Sequence, residues 1–285
     1  MRVSFLGPEG TFSHEFAKGQ WPTAVLMPQI PMPAVVSAVA DRSCDCGVLP
    51  FFNDNTKSVI VAQNALYQAR GQVFVRELMA HDVRHCIYSH GQLHEIEEIR
   101  SMGAVFPQVS NWLQSNRIRA KQTHTDSTAA AVRDINRLKD KRIAAIGARI
   151  AGDYYKSVPI IATDIQNVPN QTIFAVLCGQ APQPDHFDYL LFSGQGVSTS
   201  DAFRISEVAV DRGFRIGIPL TFHPMMILDI DIRRKTDSMP RQSIGQFIDE
   251  MHRANTPFRY IGGHLRTSLT NLIESSKRKA NPQSQ

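Results

Sequence analysis

An α/β chain built on largely parallel sheets, continued by a ferredoxin-like α+β region, is the fold class that three observations predict. From Val3 to Leu177, short apolar runs of strand character alternate with helix-period patterns, as expected where helices layer onto a mostly parallel sheet. A polar, proline-bearing stretch follows, Gly179-Gln180-Ala181-Pro182-Gln183-Pro184-Asp185, and beyond it the order changes to β-α-β-β-α-β. With 285 residues, 42% of them hydrophobic, the chain is long for one compact unit. The expected division is therefore residues 1–180, residues 186–266 and a polar, basic tail over 267–285.

The first strand, Val3–Leu6, is closed by Gly7-Pro8. Gly10 then lets the backbone approach a ligand, and Thr11 or Ser13 can cap a helix over Ser13–Lys18, whose free N–H groups favour an anion. Strand Ala24–Met27, helix Ala34–Asp41, strand Gly47–Pro50 and helix Ser58–Tyr67 continue the alternation. Strands Val73–Leu78 and His85–Tyr88 come next, then helices Pro107–Gln114 and Thr128–Leu138, strand Arg142–Ile146, helix Ala148–Tyr155 and strand Thr172–Leu177. Thr11, Asn53, Ser127, Thr128 and Thr172 all fall at strand-to-helix junctions or strand starts, where α/β sheets bind ligands. The later region reads as strand Asp188–Phe192, helix Ala202–Asp211, strands Arg215–Leu220 and Met225–Ile232, helix Ser243–Ala254 and strand Phe258–Gly262.

Composition narrows the function. No run approaches the ~20 apolar residues of a membrane span, and the amino terminus has neither a basic leader nor a small-residue cleavage site, so the expectation is a cytoplasmic protein. Four cysteines are too few for a disulfide framework, and Cys44-Asp45-Cys46 has no second Cys/His pair at zinc spacing, so no metal is expected. The net charge of +5 is diffuse, without a basic stripe interleaved with aromatics, which argues against nucleic acid and suits a dianionic small substrate. His81, His85, His90 and His94 are read as surface or edge histidines, because a strand through His85-Cys86-Ile87-Tyr88 breaks any helical pairing.

Gly7-Pro8-Glu9-Gly10-Thr11-Phe12-Ser13 closely resembles the opening motif of prephenate dehydratases. Further landmarks follow in that family's order. Gly47-Val48-Leu49-Pro50 with Asn53 resembles its GVVP-x-EN segment, Asp126-Ser127-Thr128-Ala129-Ala130-Ala131 its STAxAA segment, and Ala144-Ala145-Ile146 its AAI strand; Asn170-Gln171-Thr172-Ile173-Phe174 stands where the family has N-x-T-R-F. The resemblance implies two lobes like a periplasmic binding protein with the substrate between them, conversion of prephenate to phenylpyruvate, and no cofactor. It implies a catalytic role for Thr172 and substrate contacts from Gly10, Thr11, Asn53, Ser127, Thr128 and Phe174. The later region resembles the family's regulatory ACT domain, chiefly through Met226–Ile232 and Phe258–His264, and implies a homodimer or homotetramer.

The departures bear on the chemistry. The motif arginine is Ile173, the glutamate is Phe52 and the following serine is Asp54; Thr56-Lys57 replace EG, and Ser101-Met102-Gly103-Ala104 replace SHPQ. Asp54 and Lys57 are the candidates to compensate for the lost polar groups. Three readings stay open: a divergent dehydratase, a decarboxylase that leaves the ring non-aromatic, and a ligand sensor without turnover. Where the family has its GAL effector turn the chain has Ser200-Asp201-Ala202-Phe203, so phenylalanine is not expected to bind there.

Overall fold

The computed structural model describes residues 1–53, 57–69, 71–183, 187–216, 220–222, 225–233, 242–253 and 258–264. Asp54 thus lies outside the described residues, as does the tail.

The amino-terminal lobe runs β1 (Arg2–Leu6), α1 (Phe12–Gln20), β2 (Val25–Gln29), α2 (Pro33–Ala40), β3 (Cys46–Asn53), β4 (Lys57–Ser58), α3 (Ile60–Gln68) and β5 (Phe74–Asp82). The chain then crosses into a second lobe: β6 (His85–Ser89), β7 (Glu98–Ser101), α4 (Phe106–Ser115), β8 (Lys121–His124), α5 (Thr128–Leu138), β9 (Ile143–Ala148), α6 (Ile150–Tyr154) and β10 (Ile160–Ala162). It returns through β11 (Gln171–Cys178), which lies between β3 and β5. The last region adds β12 (Tyr189–Gln195), α7 (Thr199–Asp211), β13 (Arg215–Ile216), β14 (Leu220–Phe222), β15 (Met225–Asp231), α8 (Gln242–Arg253) and β16 (Phe258–His264).

Among the described residues these strands form two sheets. The larger has the order β13-β15-β12-β16-β5-β11-β3-β1-β2, with β14 on β15 and β4 on β3; the second lobe's sheet has the order β10-β6-β9-β7-β8. Both are mixed rather than largely parallel. β1 is parallel to β2 and β3, and β7 to β8 and β9, but β11 is antiparallel to both β3 and β5, and β6 is antiparallel to β9 and β10. The cause is topological: the chain leaves the first lobe along β5 and comes back along β11, and a strand that returns beside its exit strand must oppose it. The crossing is fastened where the Val83 N–H donates to the Asn170 carbonyl at 2.8 Å.

The apolar run of β11 feeds two of the cores. β11 alternates faces, so Ile173, Ala175 and Leu177 join the cluster under α2 and α3, while Phe174 joins Phe5, Phe16 and Val48 under α1. The last region has the strand order β13-β15-β12-β16, that of a ferredoxin-like unit, and β16 continues it into the first lobe by pairing Gly262 in parallel with Val75. The cores interpenetrate accordingly: Phe74 packs with Phe192 and Phe258, and Leu191, Ile227 and Ile261 pack with the cluster under α2 and α3. The edge strands β8 and β10, the inner strand β7 and the short β4 were not expected from sequence; they are two to four residues long and carry too short a pattern to read.

Candidate active site

A cleft of about 600 Å³ lies between the lobes. Each wall is led by a helix amino terminus, α1 from the first lobe and α5 from the second, with Thr11 to Ser13 and Asp126 to Thr128 along the lining. Free N–H groups of a helix start favour negative charge. Arg133, on α5 and mostly exposed, is the guanidinium at the rim. Much of the remaining wall is apolar, with Leu6, Phe12, Pro50, Met102 and Phe174.

Of the expected site residues, Thr11, Asn53, Ser127, Thr128, Thr172 and Phe174 border this cleft. Thr11 is the N-cap of α1: its Oγ1 accepts from the His14 N–H and its one hydrogen is shared between the carbonyls of Pro8 at 3.0 Å and Leu6 at 3.2 Å, so its hydroxyl is committed to the turn. Ser127 caps α5 by accepting from the Ala130 N–H at 3.0 Å, which leaves its own proton available to a ligand. Phe174 is buried and stacked on Phe16, with ring centroids 4.4 Å apart, so it forms floor rather than a polar contact.

Gly10 differs from expectation. It is not part of the cleft lining; its φ is +86°, its N–H donates to His14 Nδ1 at 2.9 Å, and a Cβ there would come within 3.3 Å of Ala129 and Tyr155. The glycine is needed because the turn folds back in the left-handed region and presses against the second lobe. Lys57 starts β4, opposite Asn53.

At the cleft floor Thr172 and Asn53 face each other across β11 and β3, and Asn53 Nδ2 donates to Thr172 Oγ1 at 2.8 Å. That bond occupies an oxygen lone pair and leaves the threonine proton with no acceptor among the described residues. The second Asn53 Nδ2 hydrogen is shared between Asn170 Oδ1 at 3.1 Å and the Gln171 carbonyl at 3.2 Å, Asn170 Nδ2 donates to Gln108 Oε1 at 2.9 Å, and Gln108 Oε1 lies 3.2 Å from His85 Nε2. A polar chain therefore runs along the floor from one lobe to the other.

His85 corrects the reading of a surface or edge histidine: it is 1% exposed and borders the cleft. Burial lowers its pKa, against the opposing hydrogen bond to Gln108, so the ring is neutral at pH 7. Its strand pattern signalled burial, since every residue of β6 is buried, but polarity argued the other way. Gln108, Asn170 and Arg133 were also missed as site residues; only Asn170 carried a signal, as the first residue of the Asn-Gln-Thr segment.

Two of the altered motif positions face away from the cleft. Ile173 and Phe52 are direct partners across β11 and β3, both are buried in the cluster under α2 and α3, and neither borders the cleft. Met102 and Ala104, in the segment that departs from SHPQ, do border it and make that wall more apolar.

A family model described as prephenate dehydratase matches residues 3–182. The bifunctional chorismate mutase/prephenate dehydratase of Enterobacter agglomerans is 28% identical over 188 residues, covering 63% of this chain and 47% of that protein. The prephenate dehydratase of Lactococcus lactis subsp. lactis (strain IL1403) is 26% identical over 198 residues, covering 70% of this chain and 69% of that protein. The chain spans about half the length of the bifunctional relatives it matches. Among solved structures, a prephenate dehydratase from Arthrobacter aurescens in complex with L-Phe has a TM-score of 0.77 at 21% identity, covering 93% of this chain and 90% of that one. The enzyme from Staphylococcus aureus subsp. aureus Mu50 has a TM-score of 0.68 at 22% identity, covering 93% and 100%. A protein described as GqqA, a novel type of quorum quenching acylase, has a TM-score of 0.73 at 15% identity, covering 92% and 97%. At these identities the structural likenesses bear on fold alone.

Proposed function

The chain belongs to the prephenate dehydratase family, and from that premise we propose that it converts prephenate to phenylpyruvate, CO₂ and water. The observation that carries this reading is the Thr172 hydroxyl, which accepts from Asn53 and keeps its own proton for a ligand in the cleft.

Prephenate carries a ring carboxylate, a ring hydroxyl para to it and a pyruvyl side chain ending in a second carboxylate. When the bond to the ring carboxylate breaks, its electron pair enters the ring and the bond to the hydroxyl oxygen breaks. The dianion and one proton thus give the phenylpyruvate anion, CO₂ and water. Hydroxide is a poor leaving group, and a donor aimed at its oxygen contributes typically ~10²–10⁴-fold. Thr172 supplies that hydrogen bond, with the proton made good from solvent. The two carboxylates are matched by the starts of α1 and α5, the Ser127 hydroxyl and Arg133. The apolar wall around Phe12, Met102 and Phe174 keeps water from the ring.

The non-aromatising decarboxylase rested on the replacement of arginine and glutamate. Because Ile173 and Phe52 pack together on the far face of β11 and β3, those replacements leave the donor at the floor in place. Acyl transfer of the kind named for GqqA calls for a nucleophile paired with a base. Among the described residues no hydroxyl or thiol of the cleft bonds a histidine ring; the Thr11 and Ser127 oxygens cap helices, and the His85 ring bonds Gln108.

Within the same reading, the region from β12 to β16 is an ACT-like unit, the working compartment is the cytoplasm and the assembly is a homodimer or homotetramer. Incubation with prephenate followed by mass and absorbance of the product tests the activity. Phenylpyruvate is expected; a dihydro acid would identify a decarboxylase, and unchanged prephenate with measurable binding would identify a sensor.

A further inference from the structure

The chain of side chains under the cleft has a fixed direction, and both of its ends are pinned by backbone. At one end Asn53 Nδ2 donates to the Gln171 carbonyl at 3.2 Å, so its amide nitrogen faces Thr172 and Asn170. At the other end Gln108 Nε2 donates to the Ala104 carbonyl at 2.7 Å, so its oxygen faces inward. Between them Asn170 fits in one orientation only, Oδ1 accepting from Asn53 and Nδ2 donating to Gln108. Reversing any of the three amides would set oxygen against oxygen or nitrogen against nitrogen.

This order dictates the state of His85. Gln108 Oε1 is an acceptor, so His85 Nε2, 3.2 Å away, must carry the hydrogen. Nδ1 then holds the lone pair, and that atom is buried with no hydrogen-bond partner among the described residues. Leaving a buried acceptor unmade is costly. The imidazole nonetheless sits in a firm mount: its backbone N–H donates to Gln166 Oε1 at 3.1 Å, its carbonyl accepts from the Ile165 N–H, and the edge of Phe12 lies against it with centroids 5.2 Å apart. Gln108 is mounted as well. The Asn167 N–H donates to its carbonyl at 2.7 Å, and Asn167 Nδ2 donates to the Pro107 carbonyl at 2.8 Å, fastening the first turn of α4 to the returning chain. A polar group kept buried and half-satisfied on so rigid a support calls for a role.

We propose that His85 and Gln108 are positioning residues which, through Asn170 and Asn53, hold the Thr172 hydroxyl as a donor toward the cleft. The inference rests on the reading of Thr172 as the group that assists hydroxide departure. The chain works in one direction: His85 Nε2–H and Asn170 Nδ2–H both satisfy Gln108 Oε1, Asn170 Oδ1 orients Asn53, and Asn53 fills the lone pair of Thr172 so that its proton turns outward. Because His85 and Gln108 stand in the second lobe while Asn53 and Thr172 stand in the first, the donor is set only when the lobes hold this relation. Neither positioning residue needs to touch the substrate.

The test is steady-state turnover of prephenate by the full chain, with Thr172→Ala as reference. His85→Ala and Gln108→Leu should each lower kcat about tenfold with KM little changed, since the threonine acts on the leaving group. His85→Gln, which returns an N–H near the Nε2 position, should recover most of the loss. In the Thr172→Ala background neither change should cost anything further, because what it positions is gone. Losses that multiply in the double variants, or fall on KM alone, would overturn the proposal. Ring ¹⁵N spectra give a second readout that needs no substrate: His85 should appear as the Nε2–H tautomer in the wild-type protein and lose that signature in Gln108→Leu. An Nδ1–H tautomer would overturn the proposal whatever the assay shows, whereas a wild-type protein that leaves prephenate unchanged but has the Nε2–H tautomer would sink the dehydratase reading and leave the mount standing.

Discussion

Thr172 is 6% exposed, and its hydroxyl accepts from Asn53 while its proton meets no acceptor among the described residues. Thr172→Ala is expected to reduce kcat by at least ~10²-fold, and Thr172→Ser to retain most of it, measured as phenylpyruvate formation; an unaffected rate would remove the residue from the mechanism. Ile173 poses the opposite case. It was legible as a departure from the motif, but the direction in which it faces was not, because the β-bulge between Ile173 and Phe174 and the partner Phe52 belong to tertiary structure. A single Ile173→Arg buries an unpaired charge and should cost about 3–5 kcal/mol in urea denaturation. Adding Phe52→Glu should recover part of that loss; a double variant as unstable as the sum of the singles would mean that the two side chains do not meet. His85 was misjudged for a related reason. A polar residue in a strand reads as edge or surface unless its partners are known, and Gln108 is 23 residues away.

Elements whose pattern fills several turns or a whole strand were legible: α1, α2, α4, α5, β3 and β11 lie where the sequence suggests, to within a few residues. The two crossings between lobes were not, since nothing local in β5 or β11 states which strand lies beside which. The same limit applies to α7. Its start carries a capping box in which Ser198 Oγ accepts from the Asp201 N–H and Asp201 Oδ2 accepts from the Ser198 N–H at 3.0 Å. Asp201 thus holds a carboxylate at the turn where the resemblance sets an effector's carboxylate, and like charges in one site are unfavourable. Millimolar phenylalanine should therefore neither raise the melting temperature nor alter activity; a clear stabilisation with altered turnover would overturn this expectation.

At the scale of the whole molecule, burial lowers the pKa of His14, His81 and His85. Each takes up a proton less readily when folded than when unfolded, so stability is held above the ordinary imidazole value of 6.5 and lost as pH falls below it. Glu15, raised by burial, acts with the opposite sign at lower pH. Three imidazoles against one carboxyl predict a lower urea midpoint at pH 5.5 than at pH 7.5; a midpoint that holds or rises would show that the imidazoles are open to solvent in the native state. The two-lobed plan followed from family resemblance rather than from periodicity, and the joint between β16 and β5 followed from neither. At that joint Gly262, at φ +123°, leaves no room for a side chain, since a Cβ would lie 1.9 Å from the Val75 carbonyl oxygen. Gly262→Ala should lower stability by about 2 kcal/mol or more, read by thermal melting. The same contact makes β16 a cover for one border of the first lobe. Without it the start of β5, at Phe74 and Val75, would lose its neighbour and open an apolar strand end on which other chains can stack. A fragment of residues 1–183 should then precipitate or form assemblies that bind thioflavin even where the intact chain stays dispersed, so that the terminal region guards against self-association gone wrong whether or not it ever senses a metabolite.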